Sequence, residues 1–211
     1  MSLKRSRPRG YNLRSSNPGE INIDDESFYT TDVINVTSRL DIYIYGTIAG
    51  LDDPSASQLI NLIETTDAPN IMVTISSFGG DLYTSLAIYN ALRSRMPETN
   101  VITIGNGIVS SGAAIIFMAG EQRLAYGHTT FMVHGPQYDG YMTGSTKNFE
   151  TDAKFINSMY RNFISEAFKG KFTEDEISDI CDKNVNKYFD TQEALKREIV
   201  TELIFGQPDS E

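Results

Sequence analysis

Two strand-to-helix junctions and one histidine supply the residue types that nucleophilic catalysis needs. The first junction is Ser76-Ser77-Phe78-Gly79-Gly80. Its glycine pair lets the backbone turn tightly and offers N–H groups to an anion, although many such turns are only turns. The second is Gly107-Ile108-Val109-Ser110-Ser111-Gly112-Ala113-Ala114. A serine at the first turn of a buried helix lies at the positive end of its dipole, which favours a developing oxyanion. Ser110 or Ser111 reads equally as an ordinary N-cap. The chain has two histidines. His128 falls in a polar turn, Tyr126-Gly127-His128-Thr129. His134 ends an apolar strand, Phe131-Met132-Val133, before Gly135-Pro136. Either alone reads as a surface or satisfied histidine. Beside a serine junction, His134 suits a fixed general base. No G-x-G-x-x-G or P-loop is present, so nucleotide binding is disfavoured, and no cofactor or metal is expected.

These residues need a scaffold of alternating strands and helices. Strand-like runs are expected at Leu40–Tyr45, Asn70–Ile75, Val101–Ile104, Arg123–Ala125 and Thr130–Val133. Helices are expected at Pro54–Glu64, capped by Asp53, at Leu82–Met96 and at Ser111–Met118. Leu82, Leu86, Tyr89, Ala91 and Leu92 are the inward positions expected of the second. The longest helix is expected at Thr146–Phe168, where Phe149, Ala153, Ile156, Tyr160 and Phe163–Ile164 recur every three to four residues. Short helices follow at Thr173–Cys181, with a Thr173/Glu176 capping box, and at Thr191–Arg197, capped by Asp190 or Thr191. Alternation of this kind means an α/β fold of parallel βαβ units with right-handed crossovers.

Composition limits the rest. The 211 residues amount to one domain with a tail. Residues 1–32 are expected to form a flexible arm, 33–206 a folded domain and 207–211 a short tail. The net charge of −10 argues against nucleic-acid binding. Five basic residues fall within the first fourteen, leaving 13 basic against 28 acidic beyond them. That start reads as a solvated tail or as an electrostatic arm for an acidic partner. Cys181 is the only cysteine, so no disulfide forms within the chain and a reducing, cytoplasmic setting is expected. No apolar run nears the roughly 18 residues of a membrane span, and no secretory signal is evident.

Three ordered motifs then carry a resemblance. Ser77-Phe78-Gly79-Gly80, Ser111-Gly112-Ala113-Ala114 with its apolar run to Ala119-Gly120, and Met132-Val133-His134-Gly135-Pro136 closely resemble the ClpP family of caseinolytic serine proteases. That family has a Ser-Pro-Gly-Gly turn, an Ala-Ala-Ser-Met-Gly-Ala nucleophile helix and a Met-Ile-His-Gln-Pro base. The resemblance runs from about Arg39 to Ile204. It implies a ClpP/crotonase-like fold with a protruding strand-helix handle. It implies that Ser111, not Ser110, is the nucleophile and His134 the base. It places the oxyanion donors on the backbone N–H groups of Gly80, with Gly79 beside it, and of Gly112. Gly135–Gly144 and Thr146–Phe168 correspond to the handle. The implied assembly is a homo-oligomer of heptameric rings, stacked in pairs around a chamber. An AAA+ unfoldase would feed it unfolded polypeptides, using the ATP itself, with no part for nucleic acid or membrane.

The departures are specific. Phe78 stands where the family turn has proline. The third triad position, an aspartate in the family, falls on Asn186, with Asp182 and Asp190 as nearby alternatives. Asparagine orients an imidazole but does not offset its charge. The unfoldase-docking positions are Met72, Thr74 and Leu124, of which Thr74 is polar. Three other readings use the same residues differently. A ring subunit of weak or no activity keeps the fold and serves as a scaffold. A crotonase-type acyl-CoA enzyme shares the paired N–H groups but does not need Ser111 and His134. A serine–lysine peptidase lacks its base, since no lysine lies between Arg5 and Lys147.

Overall fold

The computed structural model describes residues 33–36, 38–137 and 146–204. The proposed arm at 1–32, the tail at 207–211 and most of the expected glycine-rich handle strand fall outside these residues. The elements run β1 (Val33–Val36), β2 (Arg39–Ile48), α1 (Pro54–Thr65), β3 (Asn70–Gly80), α2 (Leu82–Ser94), β4 (Asn100–Ser110), α3 (Gly112–Phe117), β5 (Gln122–Ala125) and β6 (Thr130–Val133). Then come α4 (Thr146–Ala167), α5 (Glu174–Cys181), β7 (Lys187–Phe189), α6 (Thr191–Lys196) and β8 (Glu202–Leu203). Among the described residues, eight strands form one sheet. Its main path is β1-β2-β3-β4-β5-β8, and β6 branches from β4 and carries β7. Only β1–β2 and β6–β7 are antiparallel. The expected α/β class of parallel βαβ units is therefore observed.

The branch in β4 decides where the chemistry can sit. Its first half, Ile102–Gly105, pairs with Gln122–Ala125 of β5. Its second half, Ile108–Ser110, pairs with Thr130–Met132 of β6. Between them the backbone bends through Gly107, at φ 89°. A hydrogen-bond chain fixes the bend. The Thr129 hydroxyl donates to the Gly105 carbonyl (3.0 Å), and the Thr191 hydroxyl donates to the Thr129 carbonyl (2.8 Å). Phe117 and Phe131, both buried, pack with tilted rings at 5.2 Å between α3 and β6.

Several boundaries differ from the sequence expectation for identifiable reasons. β3 and β4 run on to Gly80 and Ser110, past the expected ends at Ile75 and Ile104. These extensions are polar and glycine-containing, and sheet neighbours on both sides hold them. α3 starts at Gly112 because Ser111 has a positive φ of 56° and is not helical. The core face of α2 is Thr84, Ser85, Ile88, Ala91 and Leu92, with the expected Leu82, Leu86 and Tyr89 only partly buried. The Asp81 cap pins the start of the helix, and the small Ser85 is what fits beside Gly112. β7 and β8, of three and two residues, are too short to announce themselves in the sequence, and β1 lies at the boundary of the expected arm. In the 22-residue α4, Tyr160, Ile164 and then Phe168 just beyond it are buried, whereas none of the side chains from Lys147 to Met159 is. No helix among the described residues is long and apolar enough to cross a membrane.

Candidate functional site

Ser111 sits at an elbow between β4 and α3, with φ 56° and ψ −124°. A non-glycine residue in such a conformation carries roughly 1–3 kcal/mol of strain and must be held from both sides. Its N–H donates to the Met132 carbonyl (2.9 Å), and its carbonyl accepts from the Ala114 N–H (2.9 Å). The turn throws the side chain out of the sheet, where Ser111 Oγ lies 2.6 Å from His134 Nε2. The two residues singled out for nucleophile and base are thus in direct hydrogen-bond contact. Ser110, the alternative nucleophile, is a buried strand residue facing the core.

The glycine turn of β3 lies against this elbow. A Cβ on Gly79 would come within 2.6 Å of Ser111 Cβ and 2.7 Å of Gly112 N, and φ is +94° there. Only glycine permits that approach. The Gly79 N–H is engaged by Ser77 Oγ (3.0 Å), whose hydroxyl in turn donates to the Gly46 carbonyl (2.5 Å). This leaves Gly80 as the donor the turn can offer. Gly80 N lies 3.5 Å from where a Cβ on Gly112 would stand, so the two candidate oxyanion nitrogens are neighbours beside Ser111. A Cβ on Gly112 would also collide with Ser85 Oγ, which donates to the Asp81 carbonyl (2.7 Å). Ser77, Asp81 and Ser85 were not singled out by sequence. The first two adjoin the glycine turn and had a local signal, whereas Ser85 is revealed only by the meeting of α2 and α3.

His134 is half-buried at the end of β6, and burial pushes its imidazole below the ordinary histidine value of 6.5. It is therefore neutral at neutral pH, with Nε2 able to accept from Ser111. In the tautomer whose Nε2 accepts from Ser111 the proton is on Nδ1, which is buried and has no hydrogen-bond partner among the described residues. Such an orphan costs about 1–3 kcal/mol. The backbone brings Asn186 to the right register for that role. β6 and β7 pair as Phe131 with Phe189, Met132 with Tyr188 and Val133 with Lys187, so the next step sets His134 opposite Asn186. Asn186 is nevertheless exposed, and it makes no hydrogen bond to His134 Nδ1.

The two aspartates are committed elsewhere. Asp182 pairs with Arg161 (2.8 Å) and accepts from Ser178 (2.9 Å). Asp190 caps α6 through the Glu193 N–H (2.7 Å). Asp179 braces the Asn186 segment on both sides. Its carboxylate binds Lys183 (3.0 Å) and Lys187 (2.8 Å), and its carbonyl accepts from the Val185 N–H (2.9 Å). Of the expected docking positions, Met72 and Thr74 lie on β3 and Leu124 on β5.

The burial of His134 gives a signed expectation. The reactive form has a neutral imidazole, and it is lost as pH falls through the folded-state value. The rate of fluorophosphonate labelling of Ser111 should hold constant down to below pH 6.5 and fall only beneath it. A midpoint above 7 would contradict the buried, unpaired imidazole described above.

Comparison with known proteins agrees with this geometry. A family model described as Clp protease matches residues 29–207. The chain is 33% identical over 139 residues to the ATP-dependent Clp protease proteolytic subunit 3 of Rhizobium meliloti (strain 1021), covering 63% of this chain and 69% of that one. It is 32% identical over 152 residues to proteolytic subunit 2 of Borreliella burgdorferi, covering 69% and 72%. A solved structure of a ClpP1 point mutant from Listeria monocytogenes superposes with a TM-score of 0.60 at 25% identity, covering 79% of this chain and 92% of that one. With motif order, fold and relatives in agreement, the chain belongs to the Clp protease family.

Proposed function

We propose that this chain is a serine endopeptidase, the proteolytic subunit of a ring-shaped ATP-dependent Clp protease that cleaves unfolded polypeptides. The observation that carries the reading is the 2.6 Å contact of Ser111 Oγ with His134 Nε2 beside the Gly80 and Gly112 nitrogens. His134 Nε2 takes the hydroxyl proton as Oγ adds to the peptide carbonyl. The carbonyl oxygen, now an anion, accepts from the Gly80 and Gly112 N–H groups. The imidazolium returns its proton to the leaving amine as the C–N bond breaks, giving an ester on Ser111. Water then attacks the ester with His134 again as base, releasing the acid and restoring the serine. Asn186 completes the triad by turning its side-chain oxygen onto Nδ1–H.

Assembly is part of this reading. The first half of α4 leaves Ala153 and Ile156 half-buried and Phe155 exposed on a single chain, an apolar surface that a mate would cover. Two stacked heptameric rings follow from the resemblance, as does an AAA+ unfoldase, although Thr74 makes its docking face more polar than the family pattern. The scaffold reading differs in one respect: its Ser111 would not react.

Ser111→Ala should abolish fluorophosphonate labelling and lower peptide turnover by about 10⁴- to 10⁶-fold. Ser110→Ala should retain turnover. The reverse result would shift the nucleophile by one residue, and an unlabelled wild-type chain would favour the scaffold. Size-exclusion mass should be many times the 23.5 kDa of one chain. An active monomer at micromolar concentration would refute the ring.

Asn186→Asp should raise turnover about tenfold, because a carboxylate orients the same ring and offsets the imidazolium charge. It should also move the acid limb of the pH profile upward, since a neighbouring anion favours protonated His134. Flat or lower turnover with an unmoved acid limb would exclude Asn186 from the triad.

A further inference from the structure

The base and its proposed partner meet across a very short ladder. β7 has three residues, and among the described residues it pairs with β6 alone. So short an edge strand specifies its register weakly, and a slip by one residue moves every side chain to the other face. Successive strand residues face opposite sides. Phe131, Val133 and Phe189 are buried, so Lys187, opposite Val133, shares the core face with them. Asn186 falls on the other face, with Met132, Tyr188 and His134.

Asp179, on α5, grips this ladder from the core face. Its Oδ2 accepts from Lys187 Nζ (2.8 Å) and its Oδ1 from Lys183 Nζ (3.0 Å). These hydrogen bonds, the one from Lys187 first, hold the carboxyl below its ordinary value, so it is charged at neutral pH. The Asp179 carbonyl accepts from the Val185 N–H (2.9 Å), so one residue holds the chain on both sides of Asn186. The same turn presses against the base. A Cβ on Gly135, the residue after His134, would come within 2.6 Å of the Ile180 carbonyl oxygen and 3.3 Å of Asn184 Oδ1. The two ties differ in setting. The Lys187 and Asp179 side chains are 24% and 29% exposed, whereas that of Lys183 is 66% exposed.

We propose that Asp179 is a positioning residue of the catalytic site: through Lys187 it fixes the register of β7 and so holds Asn186 opposite His134. This rests on the reading of Asn186 as the third member of the triad. Directly opposed residues of an antiparallel pair have Cβ atoms roughly 4.5–5.5 Å apart, so a side-chain rotation brings the Asn186 amide within reach of Nδ1. Without the tie, Lys187 is free to turn its ammonium to water, and three residue pairs alone set the register. A partly exposed ion pair adds little to global stability, so its effect is felt locally, on the strand that carries Asn186.

The test is steady-state hydrolysis of a fluorogenic peptide, on preparations whose size-exclusion mass matches wild type. Asp179→Ala and Lys187→Met break the pair, one from the helix and one from the strand. Each should lower kcat about tenfold and leave KM within about twofold. Lys187→Arg should keep most of kcat, and Lys183→Met, on the exposed side, should keep it too. The same changes are then made with Asn186→Ala. In that background Asp179→Ala should cost nothing further, because its effect passes through Asn186. An equal loss in both backgrounds overturns the proposal and leaves the pair a structural brace. Wild-type kcat in assembled Lys187→Met overturns it as well, and so does failure of Lys187→Met to assemble, which would assign the pair to the fold. If Asn186→Ala alone keeps wild-type turnover, the triad reading falls, and the positioning role with it. If Asn186→Ala lowers turnover but Lys187→Met does not, only the positioning role falls. A wild type that cuts nothing removes the peptidase reading and this role together.

Discussion

Everything at the proposed site depends on β4 changing partners along its length. One strand cannot hold two neighbours at one edge position, so β5 takes the first half and β6 the second, with a glycine bend between. That exchange sets the end of β6 beside the end of β4. The backbone bond from Ser111 N–H to the Met132 carbonyl closes the junction. His134, two residues further on, can then reach Ser111 Oγ without any flexible loop between them. The Thr191–Thr129–Gly105 hydrogen-bond chain ties α6 into the same junction. The geometry is therefore built on sheet register, which is stiff, rather than on loop conformation.

Strain and close approach are concentrated at the same place. Ser111 holds a positive φ, Gly79 and Gly80 lie in conformations that a side chain would disfavour, and Gly112 has no room for a Cβ. The sequence conflicts with ordinary strand and helix propensity here because three elements must touch through backbone alone. A core of fully buried residues, Ile75, Val109, Ile116 and Phe131 among them, surrounds the strained turn and supports it.

Much of the fold was legible because α1, α2, α4 and the apolar cores of β2–β6 have clear periodicity and capping residues. The Asp53, Asp190 and Thr173/Glu176 caps are where their sequence signals put them. The polar ends of β3 and β4 were not legible, since Ser76–Gly80 and Gly105–Gly107 read as turn residues and become strand only through their neighbours. Residue type singled out His134 and the Ser110-Ser111 pair, the resemblance chose Ser111, and the Ser111–His134 contact depends on the β4 branch that no local pattern encodes. Ser85 and Asp179 emerge only from tertiary arrangement. Asn186 was reached only through the family resemblance, and its exposure was not legible.

In the proposed mechanism the third position matters most at the transition state. Burial already keeps His134 neutral, so the ground state has its base ready without help from an anion. The difficulty comes when Nε2 takes the proton, because the same burial then disfavours the imidazolium. An aspartate would relieve this by charge, whereas an asparagine relieves only the orphaned Nδ1–H. The oxyanion donors must then carry a larger share of the barrier reduction, since they act on the opposite charge of the same ion pair. In the proposed site the two N–H groups belong to glycines packed against the elbow, where donors already in place need little reorganisation when that charge appears. Under the proposed assignment, a chain with Asn186 places greater demand on Gly80 and Gly112 than one with a carboxylate there.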